Sequence, residues 1–185
     1  ITASDLTKLE GSSGTSIVTL TVTRTGDTSA LTFVGYEIAG RGLKPASAAD
    51  FAGGFLPGVV MFLPGETSQT VEIQVMSDGV VELDEDFSVT LHSLSGDSSD
   101  GVTIGNASAF GTILNDDAAV AIAAASATKP EGNSGITAFT FNVTRTGSTA
   151  GIGTVAWSVA GSGGNPASAA DFPGGALPAG ILTFA

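Results

Sequence analysis

Apolar residues recur at every second position through much of the chain. Val18, Leu20 and Val22 alternate with Thr19, Thr21 and Thr23; Val71, Ile73 and Val75 alternate with Glu72 and Gln74; Phe87, Val89 and Leu91 alternate with Asp86, Ser88, Thr90 and His92. A period of two sets one row of side chains against a core and the other in water, the pattern of a half-buried β-strand. No long stretch sustains the 3.6-residue period of an amphipathic helix. The pattern predicts strands over residues 1–8, 16–24, 31–39, 59–63, 70–76, 86–92 and 108–114, separated by turns rich in Gly, Pro, Asn and Asp. Seven short strands at this spacing predict an all-β fold, an immunoglobulin-like Greek-key β-sandwich of about 115 residues. His92 falls on the wet face with no nucleophile pattern beside it, and reads as a surface histidine.

The pattern then repeats. LEGSSG at 9–14 returns as PEGNSG at 130–135, VTRTG at 22–26 returns at 143–147, and PASAADF at 45–51 returns at 166–172, all at an offset of 121 residues. After one inserted residue near Ala179, GVVMFL at 58–63 matches GILTFA at 180–185. A repeat of this kind predicts one complete sandwich over residues 1–117 and the N-terminal half of a second over 118–185. Tyr36 aligns with Trp157 and Ile38 with Val159, so the single Tyr and single Trp share one position, expected to plug the core rather than to stack on sugar. Half a sandwich leaves an apolar sheet and unpaired edges. Either the repeat continues in a longer protein, or a neighbouring chain supplies strands by β-augmentation.

Composition narrows the chemistry. A formal charge of -12 disfavours nucleic acid and anionic membrane surfaces as partners. With no cysteine there is no disulfide or thiolate metal site, and with one histidine a transition-metal centre is not expected. No run of eighteen apolar residues predicts membrane insertion, and no basic-then-apolar leader pattern opens the sequence.

Charge is concentrated at residues 77–87, SDGVVELDEDF, where Asp78, Glu82, Asp84, Glu85 and Asp86 crowd together; no Lys or Arg occurs between Lys44 and Lys129. Carboxylates this close raise one another's pKa and oppose compaction unless a cation joins them. A solvated acidic loop and a divalent-cation site both account for the stretch. If an ion binds, calcium suits it best, since it accepts six to eight oxygens in loose geometry from several loops.

LEGSSG, the AADF loop, LPGETSQTVEIQV at 63–75, VELDEDFSVTL at 81–91 and GTILNDD at 111–117, in this order, resemble the Calx-beta domain, the calcium-binding sandwich of sodium/calcium exchangers that also occurs in integrin β4 and in large microbial surface proteins. The resemblance covers the first copy in full and the front half of the second. It implies a Ca2+ cluster at one end of the sandwich, with ligands at Glu10, Asp50, Asp78, Glu82, Glu85, Asp116 and Asp117 and the backbone carbonyl of Val80. Where exchanger domains that hold several ions carry acids, this chain has Ser77 and Asn115. Two fewer charges imply one to three weak sites, with dissociation constants on the order of 10⁻⁴ to 10⁻³ M. Asp84 and Asp86 are expected to be solvated.

The function expected on this basis is a calcium-binding structural or adhesive module of a repetitive extracellular or cell-surface protein. Its partners would be other repeats of the same protein or neighbouring chains, and calcium would stiffen the junction between repeats. The alternative within the fold is a metal-free spacer or filament subunit. An enzyme is not expected: a glycosidase carboxylate pair needs a sugar-holding cleft, and the two large aromatics are assigned to the core. A carbohydrate or protein ligand has no positive signal. The sequons at Asn106 and Asn142 read as chance triplets in a Ser/Thr-rich chain.

Overall fold

The computed structural model describes residues 2–5, 7–93, 103–126 and 128–185, and falls into two compact units, Ile1–Asp117 and Ala118–Ala185. The polar loop expected at residues 95–101 lies outside the described residues.

The strands of the first unit are, in chain order, β1 (Thr2–Asp5), β2 (Thr7–Leu9), β3 (Gly14–Thr23), β4 (Thr32–Arg41), β5 (Gly58–Phe62), β6 (Ser68–Ser77), β7 (Glu85–Ser93) and β8 (Ser108–Leu114). One sheet has the order β1-β3-β6 and the other β2-β8-β7-β4-β5. The chain changes sheet between β1 and β2, β2 and β3, β3 and β4, β5 and β6, and β6 and β7, which gives the expected Greek-key sandwich. The period-two rows pack between the sheets: Val18, Leu20, Val75 and Phe87 are fully enclosed, with Ile73 and Val89 beside them.

The first strand differs from expectation. Instead of one strand over residues 1–8 there are two: β1 pairs antiparallel with β3, and β2 pairs parallel with β8. The register slips between Ala3 and Asp5, and the chain then serves the open edge of the second sheet. One short segment thus covers an edge of each layer, edges that would otherwise present unpaired backbone groups. The switch also delivers Glu10 to the end of β8, where its N–H donates to the Leu114 carbonyl at 3.0 Å.

A loop over residues 42–57 crosses from one layer to the other. At its start it is tied to β7, with Ala46 N–H to Asp86 O at 2.9 Å and Asp86 N–H to Lys44 O at 2.8 Å; later, Ala52 N–H donates to Gln74 O on β6 at 2.9 Å. Phe51 anchors it in the core, edge-on to Phe87 with ring centroids 5.3 Å apart. The crossing needs glycine at position 40, because a Cβ there would lie 2.1 Å from the Ala46 carbonyl oxygen. At the other end of β3, the Arg24 guanidinium donates to the carbonyls of Ala30, Leu63 and Glu66 and lies 5.3 Å from the Phe62 ring centroid. This gives the VTRTG motif a structural role.

The second unit has β9 (Ala118–Ala124), β10 (Phe141–Gly147), β11 (Gly153–Ser158) and β12 (Ala179–Phe184), paired as β9 with β10 and β11 with β12. The register repeats as well as the sequence: Phe141 faces Ala124 as Leu20 faces Ala3, and Trp157 faces Gly180 as Tyr36 faces Gly58. In both copies the aromatic ring lies over the facing glycine, leaving no room for a Cβ. The core-plug expectation is met only in part. Tyr36 is only half-buried at the rim of the core, and Trp157 is 38% exposed because, among the described residues, no strand corresponding to β6 or β7 covers it. Phe139, Phe141 and Leu182, counterparts of the buried Val18, Leu20 and Val60, are exposed for the same reason. Among the described residues, no helix is long and apolar enough to cross a membrane.

Candidate metal centre

Four segments meet at the end of the sandwich where β6 stops and β7 begins. The bend after β2 contributes Glu10, which is only 5% exposed. Its backbone carbonyl accepts from the Ser16 hydroxyl at 3.0 Å and from the Ser77 hydroxyl. The crossing loop contributes Asp50, held at the end of a single 3-10 turn, Ala48–Asp50, by a capping box in which its carboxylate accepts from the Ser47 N–H. The loop between β6 and β7 contributes Asp78, Glu82 and Glu85, and the residues after β8 contribute Asp116 and Asp117. Within the acidic loop, Asp78 closes a turn by accepting from the Val80 N–H at 2.7 Å.

Carboxylate oxygens of Asp50, Glu82 and Glu85 all lie within 4.8 Å of one another. Burial, then the charges of Asp78, Glu82, Asp117 and Asp50, push the Glu10 carboxyl up to about 7. Burial, a hydrogen bond with Asp50 and the charges of Asp50, Glu82 and Glu10 push Glu85 up to about 7. Glu82 is raised as well, by partial burial and then by Asp50, Asp78 and Asp117. No cation appears among the influences on these three acids; every one of them disfavours charge. Six of the expected ligands, Glu10, Asp50, Asp78, Glu82, Glu85 and Asp117, therefore share one electrostatic environment although they come from segments far apart in sequence.

The other two expected residues sit differently. One oxygen of Asp116 accepts from the Gly11 N–H at 2.8 Å, tying the end of β8 to the first bend. Val80 is in the acidic loop with its side chain exposed, and enters the centre only through its backbone. Asp84 is exposed, while the expectation that Asp86 is merely solvated is corrected by its half-burial. Asp84 accepts from the Asn115 N–H at 3.1 Å, and Asp86 accepts from the Thr112 hydroxyl at 2.9 Å on the neighbouring strand. Ser77 and Asn115, noted above only as missing acids, also hydrogen-bond within the centre.

Two observations test whether a cation fits. Oδ2 of the buried Asp117 has no hydrogen-bond partner among the described residues, and an unsatisfied buried acceptor costs about 1–3 kcal/mol or more when charged. All the converging side-chain donors are oxygens, the ligand set of a hard cation; two oxygens on one calcium ion are separated by at most roughly 5 Å, given metal–oxygen distances of about 2.3–2.6 Å. The residues present fit calcium on both counts.

The sequence model of the Calx-beta domain matches residues 5–117. The chain belongs to the Calx-beta family. Among solved structures, it is similar to the apo form of the Calx CBD1 domain, with 30% identity and a TM-score of 0.50 over 61% of this chain and 91% of that one. It is similar to CBD12 from CALX1.2 at 30% identity and a TM-score of 0.50, over 64% of this chain and 45% of that one. A third similar structure is the calcium binding domain CBD12 of CALX1.1, at 29% identity and a TM-score of 0.47 over 61% and 42%. The chain thus spans less than half the length of both CBD12 structures. A search of curated proteins gave no match.

Proposed function

We propose that this Calx-beta domain binds calcium through Glu10, Asp50, Asp78, Glu82, Glu85 and Asp117, with Asp116 and the Val80 carbonyl completing the ligand set. The observation that carries the reading is that Asp50, Glu82 and Glu85, from two segments far apart in sequence, bring carboxylate oxygens within 4.8 Å of one another, while the buried Asp117 Oδ2 has no hydrogen-bond partner among the described residues. Bound calcium would neutralise charges that otherwise repel, and so join the two sheets at this end. Calorimetric titration of the full chain with calcium is expected to show one to three ions with dissociation constants on the order of 10⁻⁴ to 10⁻³ M. Absence of heat and of any calcium-dependent change in melting temperature up to about 10 mM calcium would favour the metal-free spacer.

The wider role we assign is structural: a module of a repetitive extracellular or cell-surface protein used in adhesion or as a stalk, with neighbouring repeats as its partners. What supports it is the internal repeat and the absence of a linker, since Asp117 is followed directly by β9 at Ala118. An ion held by Asp116 and Asp117 would restrict the chain where one repeat passes into the next. Small-angle scattering is then expected to give a narrower distribution of interdomain distances in calcium than in chelator. Identical profiles in the two conditions would remove the stiffening role and leave ion binding standing.

A further inference from the structure

Asn115 makes a connection that no acid at its position would make. Its side-chain Oδ1 accepts from the Glu82 N–H at 3.2 Å, its Nδ2 donates to the Asp117 carbonyl at 3.2 Å, and its own N–H donates to the Asp84 carboxylate at 3.1 Å. Both side-chain partners are main-chain groups with one possible role each, an N–H that only donates and a C=O that only accepts, so the orientation of the amide is settled. The bonds to Glu82 and Asp84 span 33 and 31 residues. They link the acidic loop to the strand end that carries Asp116 and Asp117.

We propose that Asn115 is a positioning residue of the acidic centre, a neutral crosslink that holds the backbone of Glu82 against that of Asp117 before an ion arrives. The inference rests on the calcium reading for its consequence, but the crosslink itself is a property of the metal-free chain. Glu82 and Asp117 belong to a group of carboxylates that repel one another. Holding their backbones together with a charged side chain would add to the repulsion; an amide does so without charge. An aspartate would keep the acceptor facing Glu82 N–H, lose the donor to Asp117, and turn a negative oxygen toward that carbonyl. An alanine would lose both bonds. Asn115 is half-buried, so water only partly replaces what is lost. A pre-positioned loop binds more tightly because less order has to be imposed on binding, and outer groups that orient metal ligands are typically worth about 10–100-fold in affinity.

The test uses the full chain carrying Asn115→Ala or Asn115→Asp, with calcium chloride alone as the probe. Amide exchange is followed in chelator at Glu82, with Val89 in the core as reference, and calcium uptake is followed by calorimetry. For Asn115→Ala the expected result is about tenfold faster exchange at Glu82 with Val89 unchanged, the size of one lost hydrogen bond. Calcium affinity should fall about tenfold with the number of ions unchanged. Asn115→Asp should retain protection at Glu82. The proposal is overturned by unchanged Glu82 exchange in the alanine variant, by equal acceleration at Val89, which would make Asn115 a general stabiliser, or by loss of a bound ion, which would make it a ligand. Loss of Glu82 protection in Asn115→Asp to the alanine level overturns it too. If the unsubstituted chain takes up no calcium, the calcium reading fails while exchange at Glu82 still decides the crosslink.

Discussion

In chelator, the first unit should lose stability as pH rises from about 5 to about 8, and in millimolar calcium it should gain it. The sign follows from Glu10 and Glu85, both raised from 4.5 to about 7 by burial and neighbouring acids. A carboxyl whose pKa is higher in the folded than in the unfolded state binds more protons when folded between the two values, so stability falls with pH across that interval. The contribution is fully present below about 4.5 and gone above about 7. At about 1.4 kcal/mol per unit, two such groups would reach several kcal/mol, and solvent screening of the half-exposed Glu85 reduces this to about 2–4 kcal/mol in total. Calcium reverses the slope because it requires the ionised carboxylates and competes with the protons. Near pH 7 each of the two acids is about half protonated, so filling the centre should release about one proton. Urea unfolding at several pH values, read by exchange of the β7 amides and repeated with calcium, tests both slopes. Parallel slopes in the two conditions would mean that the acids and the ion do not share a site. Glu10→Gln separates the effects further: it should stabilise the chain above pH 7 in chelator and weaken calcium binding by at least about tenfold.

Gly40→Ala should destabilise the first unit by about 2–3 kcal/mol, a large cost for one added methyl group on a strand. The new Cβ would fall 2.1 Å from the Ala46 carbonyl oxygen, a main-chain atom that cannot rotate away and that belongs to a loop tied to Asp86. Relief requires the crossing loop to lift off β4, and that loop carries Asp50. Calcium affinity should therefore fall with stability, by about tenfold or more, although position 40 is no ligand. A urea denaturation curve paired with a calcium titration checks this. Lost stability with unchanged affinity would show that the loop re-seats without moving Asp50. Gly161 makes the same approach to the Ala167 carbonyl in the second copy, at 2.2 Å, so the constraint is part of the repeat.

What was legible in the sequence was what local chemistry writes there. Alternation in Val18–Leu20–Val22 and Phe87–Val89–Leu91 identified the buried rows, the 121-residue offset identified the repeat, and the ordered motifs identified the family and with it the sandwich. Alternation says which side of a strand faces the core but not which open edge it joins. For that reason the change of sheet after Asp5 was invisible, and so was the antiparallel-then-parallel pairing that follows. The partners of Asp84, Asp86, Ser77 and Asn115 were hidden for a related cause. Each depends on two segments distant in sequence being laid side by side, as when Asn115 meets residues 82 and 84. The exposure of Trp157 is legible in the truncation of the second copy rather than in its alignment with Tyr36, because equivalent positions are buried equally only when the covering strands are equivalent.

The turn that presents Asp50 recurs at Asp171, where the carboxylate accepts from the Ser168 N–H at 2.7 Å and from the Ser168 hydroxyl at 3.0 Å, although the described residues of that unit include no counterpart of the acidic loop. A pentapeptide that settles its own shape behaves as a portable cassette: copying the gene segment copies the acid's posture along with it. Descendant repeats could then gain or shed ions through a few substitutions between β6 and β7, with the cassette left untouched.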